Sequence, residues 1–287
     1  MSWYLEHGDG AELIFLMSEK IFSSFYKMVE RNTGIFLDSY KQYLVESRLA
    51  GKAKEYEFSG VADFVSMLLR TPIGKIHKEV FESLATHETR FFRDPLCFES
   101  IAKKILPELI NYRRKEKSLR IFCAGVSTGQ EAYSIGMIFE EFFPLLHDWD
   151  VYIQANDISA VALAKARSGI YSKTELERGL SAYLINKYFV NVGNNRFQVS
   201  HALRKKIDFI QSNLLEPSPQ FIKYDLIMLR NVLIYFSQST KDLVLTHLSR
   251  KMERPYGLLI LGSTESIVSN PDFKGVRHGN ICCYTHQ

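Results

Sequence analysis

The first arrangement in this 287-residue chain that suggests chemistry is an apolar strand running into a loop of small residues and then a helix. It reads Arg120-Ile121-Phe122-Cys123-Ala124-Gly125-Val126-Ser127-Thr128-Gly129-Gln130-Glu131. In a doubly wound sheet, ligands bind outside the carboxyl ends of the strands, and a residue such as Gly125 lets a ligand approach the backbone closely. An ordinary tight β–α turn carries such glycines too. The loop is not G-x-G-x-x-G, so the usual dinucleotide fingerprint is absent. The next strand ends in Gln154-Ala155-Asn156-Asp157. A carboxylate there accepts hydrogen bonds from both ribose hydroxyls, in nicotinamide-dinucleotide and adenosylmethionine sheets alike; the competing role is a helix N-cap. Asn213-Leu214-Leu215 ends a further strand, where a loop would meet an adenine or simply turn before Pro217. The apolar run from Tyr224 to Leu229 stops at Arg230-Asn231, followed by Val232-Leu233-Ile234-Tyr235-Phe236. A core strand has no need of an Arg-Asn ending. Finally, Thr86-His87-Glu88-Thr89-Arg90-Phe91-Phe92-Arg93-Asp94-Pro95 sets two arginines around two phenylalanines, which suits a lid over a ligand or a hinge with solvated charges.

The elements that must position these residues follow from the apolar spacing. Leu13, Phe15, Leu16, Ile21, Phe22, Phe25 and Val29 share a helical face, and Asn32-Thr33-Gly34 ends that helix with Gly34 as the cap. Asp38 starts a second helix carrying Tyr40, Tyr43, Leu44 and Leu49. A third is expected over Val61 to Leu69 and, after the break Thr71-Pro72-Ile73-Gly74, a fourth from Lys75 to Thr86. From residue 119 short apolar runs alternate with helices: strands at Leu119–Ala124, Val151–Ala155, Ile207–Gln211, Asp225–Leu229 and Leu258–Leu261, and helices at Glu131–Phe142, Ala160–Arg167 and Thr240–Met252. That alternation predicts an α/β domain with a mostly parallel sheet and helices on both faces. Between Leu176 and Arg204 two short helical pieces precede Asn191-Val192-Gly193-Asn194-Asn195-Arg196-Phe197-Gln198-Val199, which reads as a hairpin inserted in that domain.

Composition narrows the class. With 46% hydrophobic and 24% charged residues the chain can build one large or two smaller cores. A net charge of +4 is too small to argue for nucleic acid. No apolar run reaches the roughly 20 residues of a membrane span. The acidic N-terminus has no signal-peptide pattern. Cys97, Cys123, Cys282 and Cys283 form no CxxC pair and have no zinc-like spacing, so reduced thiols and a cytoplasmic location are expected, with no metal.

Taken together, these stretches resemble the CheR family, the chemotaxis receptor glutamate methyltransferases. The resemblance runs from about Gly34 to Glu265. Its most specific parts are Thr89–Arg93, Ser127–Ser134, Ala166-Arg167-Ser168-Gly169-Ile170-Tyr171 and Arg230–Phe236, and Tyr40 to Leu49 resembles the family's N-terminal helix. It implies a small all-helical domain over about 1–85, joined to a Rossmann-type S-adenosylmethionine-dependent methyltransferase domain over 86–287 with an antiparallel β-subdomain inserted at about 176–206. It implies methyl transfer to glutamate carboxylates on the helical cytoplasmic domain of chemoreceptors. By matching positions, Thr89 and Arg93 would contact the cofactor from the linker, Gly125 would lie under it, and Glu131 and Asp157 would bind its amino-acid and ribose portions. Asn213-Leu214 and Arg230-Asn231 would line its adenine and methionine ends, Tyr235 would sit near the methyl group, and Arg93 would close the site. His87 stands where the family often has Asn, Gln130 replaces a common Glu, and Ala132 a common Pro. Members that dock on a receptor's C-terminal pentapeptide carry a longer Gly-rich hairpin; this one is short, so no such tether is expected.

A glutamate substrate with a reference pKa of about 4.3 is ionised at neutral pH and needs no general base. Positioning is then the main catalytic contribution. Lys41, Arg48, Lys52 and Lys54, on or just after the second helix, would form a basic docking surface or an ordinary solvated face. A monomer is expected, with neither nucleic acid nor membrane insertion. Three other readings compete. The missing dinucleotide fingerprint counts against an NAD-dependent oxidoreductase, and the missing Asn-Pro-Pro-Tyr type tetrad against a nucleic-acid methyltransferase. A non-catalytic adenosylmethionine-binding sensor or scaffold is opposed by intact Arg230-Asn231 and Tyr235.

Overall fold

The computed structural model describes residues 8–217 and 222–287, with side chains from Glu19 onward, Leu145 excepted. The expected face residues Leu13, Phe15 and Leu16 therefore lie outside the described side chains. The chain divides into two units: residues up to Thr86 with Tyr235–Ser237, and His87–Ile234 with Gln238–Gln287.

Among its described residues the first unit holds four α-helices, α1 (Gly8–Thr33), α2 (Gln42–Glu55), α3 (Val61–Arg70) and α4 (Lys75–Leu84). Their apolar stripes meet in one core of Phe22, Phe25, Val29, Val45, Leu49, Phe64, Val65, Leu68, Val80 and Leu84. Gly34 takes φ +81° after α1, a conformation that disfavours a Cβ. Asp38 accepts the N–H of Lys41 at 3.1 Å and caps the turn leading into α2. His77, buried, accepts the Gly74 N–H at Nδ1 and therefore donates from Nε2 to the Leu68 carbonyl at 2.9 Å. Tyr40 and Tyr43 are 89% and 72% exposed, outside this core. The expected basic surface is reduced. Arg48 donates to the Leu84 carbonyl and Thr86 hydroxyl, and Lys52 pairs with Glu55 at 2.9 Å and Glu79 at 3.0 Å.

The second unit begins with helices α5 (Pro95–Ser100) and α6 (Leu106–Tyr112), joined by a π-helical turn at Ile101–Ile105. These helices had no counterpart in the sequence expectations. Then follow β1 (Ser118–Ala124), α7 (Gln130–Phe142), β2 (Asp150–Asp157), α8 (Ala160–Ser168), β3 (Ile170–Ser172), α9 (Lys173–Glu177) and α10 (Ala182–Tyr188). The chain continues through β4 (Phe189–Gly193), β5 (Arg196–Val199), α11 (His201–Arg204), β6 (Ile207–Gln211), β7 (Leu226–Leu229), α12 (Gln238–Ser249), β8 (Leu258–Leu261), β9 (Phe273–His278) and β10 (Ile281–His286). The main sheet has the order β6-β2-β1-β7-β8-β10-β9. Its first five strands are parallel, and β10 is antiparallel to both β8 and β9. Strand alternation sends Leu119, Ile121 and Cys123 into a core shared with α5 and α7, and Phe122 to the other face, where its ring stacks on Tyr224 at 5.0 Å.

From β1 the chain winds outward through β2 to β6, then returns beside β1 to form β7 and β8. The switch point thus falls between β1 and β7, where a doubly wound sheet binds its ligand. The inserted sheet is β3-β5-β4, antiparallel. It takes its first strand from Ile170, ahead of the expected start near 176. Asn194 and Asn195 turn the hairpin with φ of +50° and +54°, as a two-residue turn with both central residues left-handed requires. The hairpin β9–β10 was not expected either; in it Cys282 is exposed and Cys283 buried, as opposite faces of one strand dictate. No described helix is long and apolar enough to cross a membrane.

Candidate active site

The loop after β1 is held by the strand beside it. Asn156 is 1% exposed; its Oδ1 accepts the Gly125 N–H at 3.1 Å, and its Nδ2 donates to the Ser212 hydroxyl at 2.8 Å. One amide thereby ties the ends of β1, β2 and β6. Asp157 accepts the Ser127 N–H at 2.7 Å on one oxygen and the Ser159 N–H at 2.9 Å on the other. It does not cap α8. That role belongs to Ser159, whose hydroxyl accepts the Ala162 N–H at 2.8 Å. Gly125 has φ +70°, and a Cβ there would stand 2.6 Å from Val232 Cγ2, so a larger residue strains the turn.

A buried ion pair joins the loop after β7 to α7 and the linker. The Arg230 guanidinium is 2% exposed; Nη1 meets Glu131 Oε2 at 3.0 Å, and Nη2 donates to the Arg93 carbonyl at 2.7 Å and lies 3.7 Å from Asp94. It packs 5.3 Å from the Phe98 ring, and its Nε has no partner. Burial alone would weaken the arginine's hold on its proton, but Glu131, Cys97 and Asp94 outweigh it and raise its pKa. For Glu131 the balance is reversed: burial raises its pKa more than Arg230 and Arg93 lower it. Arg230 therefore acts as a strut behind Glu131, not as a surface cation. Burial pushes the nearby Cys97 thiol up to about 12, which leaves it without nucleophilic character.

The linker is tied to the same place. Ser127 Oγ donates to the His87 carbonyl at 3.2 Å, and the Phe92 N–H donates to Ser134 Oγ, which itself donates to the Gln130 carbonyl. The Arg93 guanidinium donates to the Glu88 carbonyl at 3.0 Å, and Thr89 is half-buried. Asn213 Oδ1 accepts the Leu215 N–H at 3.1 Å, and Asn213 and Leu214 line a cavity of about 250 Å³ with Asn156, Ser212, His247 and Lys251. Thr89, Arg93, Gly125, Glu131, Asp157, Asn213, Leu214, Arg230 and Asn231 all belong to the second unit. Tyr235 ends a short helix at Leu233–Tyr235 and clusters with the first unit, where its carbonyl accepts the Phe36 N–H at 2.7 Å.

Two residues with no role assigned from sequence prove central. Asn156 was visible only as a polar neighbour of Asp157. Glu265 accepts backbone N–H groups from Asn231 at 2.7 Å, Gly262 at 2.8 Å and Ile234 at 3.3 Å. A Glu three residues past a strand-ending Gly is the signal that marks it. Among the described residues no cluster of three or more His, Cys, Asp or Glu side chains is placed to hold a metal.

A Rossmann-type sheet with a Gly loop and acidic residues at its ligand-binding edge defines a nucleoside-binding domain. Residues 87–282 match the family described as "CheR methyltransferase, SAM binding domain", and residues 20–84 match "CheR methyltransferase, all-alpha domain". The chain belongs to the CheR methyltransferase family, and it is an S-adenosylmethionine-dependent methyltransferase. It is 34% identical to "Chemotaxis protein methyltransferase Cher2" of Pseudomonas putida, over 88% of this chain and 92% of that one. It is 35% identical to "Chemotaxis protein methyltransferase 1" of Pseudomonas aeruginosa over the same shares. To "Chemotaxis protein methyltransferase 1" of Vibrio cholerae it is 34% identical, over 91% of this chain and 94% of that one.

The residues present fit the cofactor. A ribose needs acceptors, and Asp157 places a carboxylate at the end of β2; a cationic amino group needs a carboxylate, and Glu131 places one in the first turn of α7, 3.0 Å from Arg230.

Proposed function

We propose that the chain methylates glutamate side chains on the helical cytoplasmic domain of chemoreceptors, producing methyl esters. The reading is carried by two carboxylates at the ligand-binding edge of the sheet, Glu131 in the first turn of α7 and Asp157 at the end of β2, each anchored by this chain's own donors. The names of the relatives supply the chemotaxis context. S-Adenosylmethionine supplies a methyl group on a sulfonium, which a carboxylate oxygen takes by in-line displacement. Asp157 binds the ribose, Asn213 and Leu214 border the adenine, and Glu131 takes the amino group. Thr89 and Arg93 approach from the linker, and Tyr235 orients the methyl or the attacking carboxylate. The substrate carboxylate is ionised at neutral pH, so no residue here has to remove a proton. Orientation is what the protein contributes.

The enzyme works in the cytoplasm, as a monomer, and reaches its receptor without a C-terminal pentapeptide tether. The two-residue turn at Asn194-Asn195 supports that last reading. With Arg48 and Lys52 engaged inside the helical unit and Lys41 3.7 Å from Asp38, docking there falls to Lys54 and the exposed Tyr40 and Tyr43. The test is incubation with methyl-labelled S-adenosylmethionine and a receptor cytoplasmic fragment, followed by mild base. The expected result is label on the fragment that base releases as volatile methanol. Stable label, or none, would overturn the reading.

A further inference from the structure

We propose that Glu265 is a positioning residue for methyl transfer: its carboxylate gathers the N–H groups of Asn231, Ile234 and Gly262 and so fixes the turn that follows β7. The inference rests on the reading of this site as a methyltransferase centre. The three donors come from two loops, one past the end of β7 and one past the end of β8, both at the edge where ligands bind. One carboxylate oxygen takes Asn231 at 2.7 Å and Gly262 at 2.8 Å; the other takes Ile234 at 3.3 Å. Hydrogen bonds from neutral N–H groups to an ionised acceptor are stronger than bonds between neutral groups.

The rest of the geometry serves this clamp. The Glu265 N–H donates to the Gly262 carbonyl at 2.9 Å, so the loop closes on itself and aims the side chain. Gly262 has to be glycine: a Cβ would stand 2.7 Å from Glu265 Oε2, 2.9 Å from Asn231 Nδ2 and 3.0 Å from Asn231 N. Asn231 takes φ +59°, a conformation that persists only when its surroundings hold it. Its neighbour Arg230 is fixed by Glu131 and the linker. The turn is thus pinned at Arg230 by an ion pair and at Asn231 and Ile234 by Glu265. Glu265 acts through the turn, by way of the backbone N–H groups it accepts.

The experiment compares the full chain with Glu265→Gln and Glu265→Ala. The amide is isosteric but replaces one acceptor oxygen with an NH2 that faces the same donors. Three readouts are taken: hydrogen exchange at the amides of Asn231, Ile234 and Gly262; thermal stability and S-adenosylhomocysteine affinity; and kcat and KM with a receptor cytoplasmic fragment. In Glu265→Ala exchange at the three amides accelerates at least about tenfold, and in Glu265→Gln it does so at those that face the NH2; in Glu265→Gln kcat falls roughly 10- to 100-fold while KM and cofactor affinity stay within about threefold. Unchanged exchange, or faster exchange with unchanged kcat, overturns the proposal. So does a fall in kcat matched by losses in stability and cofactor affinity, the signature of a merely structural residue. If the wild-type chain transfers no methyl to the fragment, the substrate reading fails, and amide exchange with cofactor affinity still decides for or against the clamp.

Discussion

Replacing Arg230 with Met is the perturbation that most sharply separates a structural strut from a surface ligand. The guanidinium is 2% exposed, and Glu131, its partner at 3.0 Å, is 13% exposed. Methionine fills much of the same volume but leaves the Glu131 carboxylate without a counter-charge and the Arg93 carbonyl without its donor. Breaking a buried pair by removing one partner costs about 3–5 kcal/mol. For a unit of this size each kcal/mol moves the midpoint by roughly 2–4 °C, so Arg230→Met lowers Tm by about 6–20 °C at pH 7. The second change, Glu131→Gln, removes the stranded charge, and the double variant recovers most of the loss. The deficit also depends on pH. Without Arg230 the folded-state pKa of Glu131 rises further above its unfolded value. The cost is then fully present above that raised pKa and shrinks as pH falls through it. Calorimetric unfolding of wild type, both single variants and the double variant, at pH 7 and pH 5, measures all of this. A single variant within about 1 kcal/mol of wild type, or a double variant less stable than Arg230→Met, would refute the strut.

Other consequences follow from the same geometry. Gly125→Ala, with its Cβ forced to 2.6 Å from Val232 and φ held at +70°, costs about 1–3 kcal/mol and weakens cofactor binding; calorimetric unfolding and titration measure both effects. Burial raises the Glu131 pKa, so cofactor affinity declines on acidification at a pH where an exposed glutamate is still ionised. Titrations from pH 8 down to pH 5 test this, and the same series on Glu131→Gln should lose that dependence. Cys123 and Cys283 are buried thiols with raised pKa values, as is Cys97, whereas Cys282 is exposed. Iodoacetamide at pH 8 therefore labels Cys282 alone in the native protein, as peptide mass mapping would show.

The alternation of apolar runs and amphipathic segments made the parallel core legible, since β1, β2, β7 and β8 are largely buried stretches and β6 alternates buried Ile207 and Phe209 with exposed Asp208 and Gln211. The hairpin β9–β10 was not, because its first strand carries Lys274, Arg277 and His278 at a sheet edge and lacks a continuous apolar run. The helices α5 and α6 were not expected; Pro95 sits in the first turn of α5, where a missing N–H costs nothing. Strand-end residues could be seen in the sequence as candidates because position and polarity conflict there. What they touch could not. Asp157 offered both an N-cap and a ligand, and only the position of Ser159 removed the first. Arg230 could be seen as a strand-end cation, but its ion pair with Glu131 and its bond to the Arg93 carbonyl could not. Glu265 and Asn156 act on backbone N–H groups of distant loops, and pairing of that kind leaves no periodicity to read. The basic residues of α2 show the converse: four cations near one helix suggested a surface, yet Arg48 and Lys52 are consumed by partners 36 and 27 residues away.

The central claim is that carboxylates at the ends of these strands hold S-adenosylmethionine in the α/β unit. The most direct measurement is calorimetric titration of S-adenosylhomocysteine into wild type and Asp157→Ala. Saturable one-to-one binding to wild type, weakened at least about tenfold in the variant while its unfolding stays cooperative, is the predicted result. Equal affinity in the two proteins would place the ribose elsewhere and contradict the account.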